Sequence, residues 1–503
     1  MSSADRIPEI RRRNLNGGDV RTDGSYVLYW MIAARRARWN FALDRAVELA
    51  GNLNRPLIVL ETLYADDRWA SDRTHRFVID GMADNARAFS GTGILYYPYV
   101  EPTAGAGKGL IEHLAAHACA VVTDDYPAFF FPRVITAAAR KLPVRLEAVD
   151  THGLLPMRAT GNVFARAFDF RRFLQRELAP HLSITPHRAL LSGHLPPLER
   201  LPEGVADRWP QAGPALLNGD ITLASSVPID HTVPPVLYSG GARAGRRTLQ
   251  RFLDQRLARY CDQRNHPDSD ATSGLSPYLH FWHVSAHEVL AEIAARENWS
   301  AKDISGSATG GSSGWWGMDG AAESFLDELV TWRELGFNFC AHRGDYNQFE
   351  SLPNWARATL QRHACDRRPH LYTLEQFEDA QTHDELWNAA QNQLVIEGRI
   401  HNYLRMLWGK KILHWSESPQ AALEIMIELN NRYAVDGRDP NSYSGIFWVL
   451  GRYDRAWGPE REVFGMIRYM SSVNTRRKLR VREYIKRWSN RASCGVSDAG
   501  VHA

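Results

Sequence analysis

Cysteine is scarce in this chain of 503 residues: there are five, an odd number, scattered as Cys119, Cys261, Cys340, Cys365 and Cys494, with no C-x-x-C pair. That spacing encodes neither a disulfide framework nor a thiolate zinc site, so a reducing compartment and no metal are expected. Long apolar runs are missing as well. No stretch approaches the roughly 18 residues of a membrane span, and Met1 to Asn16 is polar and Arg-rich where an export signal needs an apolar centre. A soluble, cytoplasmic protein with no membrane partner is expected. An excess of one charge is also lacking: 60 Lys+Arg against 57 Asp+Glu leave +3, which argues against a wholly basic nucleic-acid coat. The balance of 44% hydrophobic and 23% charged residues is that of a globular chain with large cores, not of a disordered or fibrous one.

Tryptophan, in contrast, is abundant. Of sixteen, only Trp30, Trp39, Trp69 and Trp209 precede residue 280, and twelve crowd into the rest. Trp is large and needs a partner for its N–H when buried, so an enrichment in one half means either a big helical core or a chemical use. A second local bias lies between Gly451 and Asn490, where eleven Arg/Lys meet four Asp/Glu. A solvated helix face and a phosphate-facing patch both account for it.

Between residues 25 and 150, apolar strand-like runs (SYVLYWM, PLIVLET, ILYYPYV, CAVVTDDYP, VRLEAVD) alternate with single amphipathic stretches. That alternation predicts an α/β doubly wound parallel sheet, which binds ligands at the carboxyl ends of its strands. Gly105 to Gly109 imitates a phosphate loop, but Gly109 stands where Ser or Thr must hold magnesium, so a plain loop is expected. Eight Pro between 190 and 240 mark a connector. After Gly245 the period becomes helical, through Arg246–Asp262, His283–Arg296, Ala322–Cys340, Leu386–Trp415 and Pro419–Tyr433, interrupted by a Gly/Ser-rich insertion from Ser305 to Gly314 with a sticky Trp315-Trp316 tip. The expected division is an extension (1–24), an α/β domain (25–185), a linker (186–240), a larger all-α domain (241–490) and a flexible tail (491–503).

Several segments of the helical half carry chemistry. Thr272-Ser273-Gly274-Leu275-Ser276 places hydroxyls before a helix start, where they either cap it or meet a diphosphate. Glu328 and Trp332, four apart, are expected on one helical face. Asn402, Arg405 and Trp408 follow at three-residue spacing on a stripe that an amphipathic helix would keep apolar. An interior Arg405 requires a carboxylate, and Asp436 in the Asp436–Asn441 loop is the candidate.

The runs SGLSPYLHF, HLYTLEQFEDAQTHDELWNAAQ, IHNYLRMLWGKKILHW and DGRDPNSYSGIFW together resemble the class II branch of the photolyase/cryptochrome family, light-driven flavoproteins that repair cyclobutane pyrimidine dimers in DNA. The resemblance covers nearly the whole chain. It implies an N-terminal antenna-type domain, a helical FAD domain, UV-damaged DNA as partner and a monomer, with nucleoid or nuclear association open. It leaves open whether a deazaflavin, a folate or no antenna pigment is used, and whether the chain is a repair enzyme, a cryptochrome-like blue-light sensor or a DNA-binding relic.

Carried over residue by residue, the resemblance implies an FAD site of Tyr260, Thr272, Ser273, Leu275, Ser276, Asn402, Arg405 and Asp436, with Asn441 or Asn430 facing the flavin N5. Substrate recognition maps to Glu328, Trp332, Met406 and Trp448. DNA contacts map to Arg264, Asn265, Trp457, Arg468, Arg476, Arg477 and Lys478. Trp408, then Trp387 and Trp415, match the class II photoreduction chain, an electron wire running inward from the surface.

Overall fold

A computed structural model describes residues 7–189, 195–223 and 225–489. The tail expected at 491–503 lies outside the described residues. Two compact units divide the chain: Met1–Gly161 with Leu174–Gln250 and Leu275–Ser307, and Asn162–Phe173 with Arg251–Gly274 and Ala308–Ala503. The chain crosses between them several times, where the sequence suggests single boundaries near 185 and 241.

The first unit is built on a six-stranded sheet: β1 (Arg12–Asn14), β2 (Tyr26–Met31), β3 (Leu57–Leu63), β4 (Leu95–Val100), β5 (Ala118–Asp124) and β6 (Leu146–Val149), in the order β1-β6-β5-β2-β3-β4. β2 to β6 pair in parallel, as the alternation of strands and helices predicts. Every residue of β2 and β5 is buried, the continuous apolar run expected of strands covered on both faces. β1 pairs antiparallel with β6, so part of the presumed N-terminal extension is a sheet edge. Pro98 is tolerated because β4 is the other edge. The Pro-rich connector covers that edge: Ala212 N–H donates to the Pro98 carbonyl, and Tyr97 O–H donates to the carbonyl of the buried Trp209. The glycine loop holds a carboxylate of its own, since Gly107 N–H donates to Glu101 Oε1 at 2.9 Å and Ala65 N–H to Oε2 at 3.0 Å. A plain loop is what the structure contains.

The second unit is helical. Asp384, Ser418 and Asp439 accept backbone N–H bonds at the starts of Glu385–Glu397, Pro419–Tyr433 and Pro440–Val449. The stretch expected to be helical from Leu386 to Trp415 is two helices, Glu385–Glu397 and Asn402–Trp415. Gly398 separates them at φ +68°, a left-handed cap open to glycine without strain. Pro440–Val449 packs against Arg333–His342, Asn402–Trp415 and Pro419–Tyr433. A methyl group on Gly409 would stand 2.6 Å from Val449 and 3.0 Å from Met426, so this crossing depends on the missing side chain. Trp315 and Trp316 are not a sticky tip: they are 3% and 6% exposed and meet edge to face at 4.9 Å. Glu323 folds the insertion over them by accepting backbone N–H bonds from Gly314, Gly317 and Met318. Among the described residues, no helix is long and apolar enough to cross a membrane.

Lys410, on the Asn402–Trp415 helix, is 1% exposed and donates to the Val449 carbonyl at 2.5 Å. Burial pushes its ammonium down to about 7. The unfolded chain therefore binds the extra proton between about pH 7 and 10, and stability rises with pH over that window. A displacement from 10.5 to about 7 corresponds to at most about 5 kcal/mol. The Lys410→Met variant is expected to gain about 1–3 kcal/mol at pH 7, after losing the Val449 bond, and to lose this pH dependence. Thermal unfolding of both proteins at pH 7 and 9.5 checks it.

Candidate active site

A largely buried cation on the Asn402–Trp415 helix is held by two partners. Arg405 Nη1 donates to Asn430 Oδ1 at 3.0 Å, and its Nη2 lies 3.3 Å from Asp436 Oδ1, with side-chain exposures of 15% and 13% for Arg405 and Asp436. The Arg405–Asp436 pair required by charge burial is thus formed. Asn430, 3% exposed, passes the network on by donating to Ser442 Oγ at 2.8 Å and to Asn431 Oδ1 at 3.2 Å. Asn441 is exposed, and its N–H is used on Asp439 at the helix start, so of the two rival asparagines only Asn430 shares a network with Arg405. Asn402, Arg405 and Trp408 run from exposed through half-buried to buried along their helix, a stripe that descends into the core.

Glu328 and Trp332 lie in a π-helical segment, Asp327–Trp332, where an α-helix is expected. Its wider turn re-aims side chains, a device often found at functional sites. Both residues remain half-buried, as does Met406. Trp332 and Trp448 form an aromatic corner, centroids 6.5 Å apart and planes 72° apart. Arg264, expected to reach DNA, is engaged within the protein: its guanidinium pairs closely with Glu328 Oε1 and lies 5.4 Å over the Tyr260 ring. Burial raises the Glu328 carboxyl above its ordinary range, and Arg264 opposes that shift. Burial and the Glu328 charge push the Tyr260 phenol up to about 12. Asn265 is exposed beside this pair.

The three wire tryptophans are brought together. Trp387 Nε1–H donates to the Trp408 carbonyl at 3.0 Å, and the Trp387 ring lies 6.1 Å from Trp415. Trp408 Nε1–H donates to Gln391 Oε1 at 2.9 Å. In one respect the sequence misleads: Trp415 is 1% exposed and is no surface terminus.

Several other candidates already have partners within the protein. Thr272 and Ser273 end one segment of the helical unit, while Leu275 and Ser276 open a segment of the first unit. The N-cap of the Ser276–His280 helix is the fully buried Leu275, which supplies no side-chain bond, and Ser276 is exposed. Arg468 Nε donates to Asp454 Oδ2 at 3.0 Å, Trp457 Nε1–H donates to Oδ1 of the same carboxylate at 3.0 Å, and the guanidinium lies over Trp457 at 4.1 Å and Trp448 at 5.3 Å. Arg476 pairs with Glu385 at the surface, whereas Arg477 and Lys478 are exposed without an ion pair among the described residues. Sequence reasoning missed Gln391, Ser442 and Asp454. The one signal for Gln391 was a polar residue in the buried stripe of its helix.

No protein-family model matches the chain. Individual relatives do. The deoxyribodipyrimidine photo-lyase of Methanothermobacter thermautotrophicus is 35% identical over 479 residues, covering 95% of this chain and 97% of that protein. Those of Arabidopsis thaliana and Potorous tridactylus are 33% and 32% identical, covering 91% and 92% of this chain and 88% and 81% of theirs. Among solved structures, a class III photolyase from Agrobacterium tumefaciens superposes with a TM-score of 0.65 at 16% identity, over 92% of this chain and 86% of that one. A Synechocystis cryptochrome gives 0.66 at 16% identity, over 92% and 88%. The fold is common to both structures, and sequence identity at this level along almost the full length shows that the chain belongs to the photolyase/cryptochrome family.

Proposed function

We propose that this chain is a class II photolyase that splits cyclobutane pyrimidine dimers in DNA. The observation that carries the reading is the Trp332–Trp448 corner, with the half-buried Glu328 carboxyl on the same π-helical segment as Trp332. Two fused pyrimidines form a bent, apolar body, and two flat walls inclined at 72° complement it. A damaged pair is already poorly stacked, so extruding it from the duplex costs less than extruding an intact one. Glu328 then meets the base edge, and Arg264 holds Glu328 in place through their ion pair. Trp457 and Arg468, tied together by Asp454, fill and grip the duplex where the dimer has left. The exposed Arg477 and Lys478 add phosphate contacts.

The donor set of the Arg405 network fits FAD. Arg405, anchored by Asp436 and Asn430, sets a fixed cation beside the isoalloxazine and favours its anionic reduced form, while Asn430 and Asn402 offer amides to the ring edge. Tyr260, Thr272 and Ser273 hold the remainder of the cofactor in this reading. Bound FAD supplies, when reduced and excited, the electron that opens the cyclobutane ring. The identities with proteins named as lyases favour repair over a sensor that only photoreduces.

Glu328→Gln keeps the shape of the side chain and removes its charge-assisted hydrogen bond. It is expected to cost about 2 kcal/mol, or roughly thirtyfold in repair rate, with flavin content unchanged. Repair kinetics beside the absorption spectrum of the purified protein measure both; wild-type repair by the variant removes Glu328 from substrate recognition.

A further inference from the structure

The Gly/Ser-rich insertion and the Ala167–Glu177 helix have no part in the functions assigned so far, yet both reach the π-helical segment that carries Glu328. Arg171, on that helix, meets Asp327 with two nitrogens of its guanidinium: Nε donates to Oδ1 at 2.7 Å and Nη2 to Oδ2 at 2.9 Å. Its remaining nitrogen, Nη1, donates to the Gly310 carbonyl of the insertion at 3.3 Å. The pair is largely buried, with side-chain exposures of 11% for Arg171 and 13% for Asp327. Gly310 comes this close because it stands at φ +79° without a side chain; a methyl group there would lie 2.9 Å from the Phe168 ring. Glu323, on the Gly320–Leu326 helix that runs directly into the π-helical segment, holds the following stretch through the amides of Gly314 and Gly317. The turn below Glu328 is thus braced from two directions.

We propose that Arg171 is a positioning residue for dimer recognition: paired with Asp327, it fixes the turn on which Glu328 stands and neutralises the carboxylate next to it. The inference rests on the reading above, in which Glu328 meets the base edge. A two-point pair between a guanidinium and a carboxylate sets orientation as well as distance. π-Helical turns are rare and mostly single, so one that aims a recognition carboxylate depends on what holds it. Glu328 accepts a ring N–H of the dimer best as an anion, because a charged acceptor makes the stronger bond.

The groups around Glu328 set its charge, and their signs make the proposal testable. Burial raises its carboxyl most, the paired Arg264 opposes that rise, Asp327 adds to it, and Arg171 opposes it again. The Tyr260 phenol, pushed up to about 12, stays neutral. Without Arg171, the Asp327 charge acts on Glu328 in full, and Glu328 takes up its proton at a higher pH. Without Asp327 the sign reverses, because the Arg171 cation remains and favours the Glu328 anion. Removing both returns Glu328 close to where it began.

The test is binding, in the dark, of an oligonucleotide carrying one cyclobutane thymine dimer to flavin-loaded protein, followed by fluorescence anisotropy as the pH is lowered. Wild type is expected to lose affinity on the acid side, in a step that is absent from Glu328→Gln. The midpoint of that step is expected to rise by about one pH unit in Arg171→Met, to fall in Asp327→Asn, and to return close to wild type in the double variant. A merely structural role would weaken binding at every pH and leave the midpoint in place. Midpoints unchanged in both single variants, or displaced in the same direction, overturn the proposal. If Arg171→Met does not fold, Asp327→Asn decides alone: a lowered midpoint supports the proposal and an unchanged one overturns it. Light-driven repair by reduced wild type is measured in parallel. Repair with unmoved midpoints defeats this inference alone; moved midpoints without repair defeat the repair reading alone. An acid step that is missing from wild type, or kept by Glu328→Gln, removes Glu328 from recognition and this inference with it.

Discussion

Trp408→Phe is expected to abolish light-driven reduction of the bound flavin and to leave repair by chemically reduced protein close to wild type. Trp408 is 2% exposed, and phenylalanine preserves an aromatic ring in that space while giving up the electron far less readily. The indole N–H bond to Gln391 is lost, and one buried acceptor without its donor costs about 1–3 kcal/mol, which a large helical core withstands. Trp387 and Trp415 keep their 6.1 Å contact, but in the variant they are cut off from the inner end of the path. The flavin spectrum under blue light with excess thiol measures the effect; reduction at the wild-type rate in the variant contradicts the assigned wire.

Arg405→Met is expected to have a comparably large effect, on the cofactor instead of the wire. The substitution keeps an unbranched apolar stem and leaves Asp436, 13% exposed on its side chain, without its cation. Removing one partner of a largely buried pair costs about 3 kcal/mol or more, and the anionic reduced flavin loses the charge that stabilises it. A charge-assisted contact is worth about 1.5–3 kcal/mol, so reduced protein should bind flavin about ten- to a hundredfold more weakly, every 1.4 kcal/mol being tenfold. Arg405→Lys retains the charge without the forked geometry that reaches Asn430 and Asp436 together, and should fall between the two. Flavin retention on dilution, read by absorbance, measures this series; equal retention by all three proteins contradicts a cofactor role for Arg405.

Much of this site is legible in the sequence because its chemistry violates local rules. Asn402 and Arg405 interrupt an apolar stripe, and a buried guanidinium demands a carboxylate that the following loop supplies in Asp436. The parallel sheet is legible because strands buried on both faces leave unbroken apolar runs such as YVLYWM. Other features depend on geometry that spacing does not encode. Glu328 and Trp332 fit a helical face equally well in α and π form, and only the backbone distinguishes them. Arg264 reads as a free loop cation until the fold turns it onto Glu328. Trp315 and Trp316 read as exposed because they follow glycine and serine, yet Glu323 gathers the loop amides and packs both rings inward.

The most direct test of the account is illumination of the purified, chemically reduced protein with an oligonucleotide carrying a single cyclobutane thymine dimer. Splitting the ring restores two conjugated pyrimidines, so the account predicts that ultraviolet absorbance near the nucleobase band recovers under blue light and stays constant in the dark. Protein with fully reduced flavin and bound oligonucleotide that shows no recovery under illumination contradicts it.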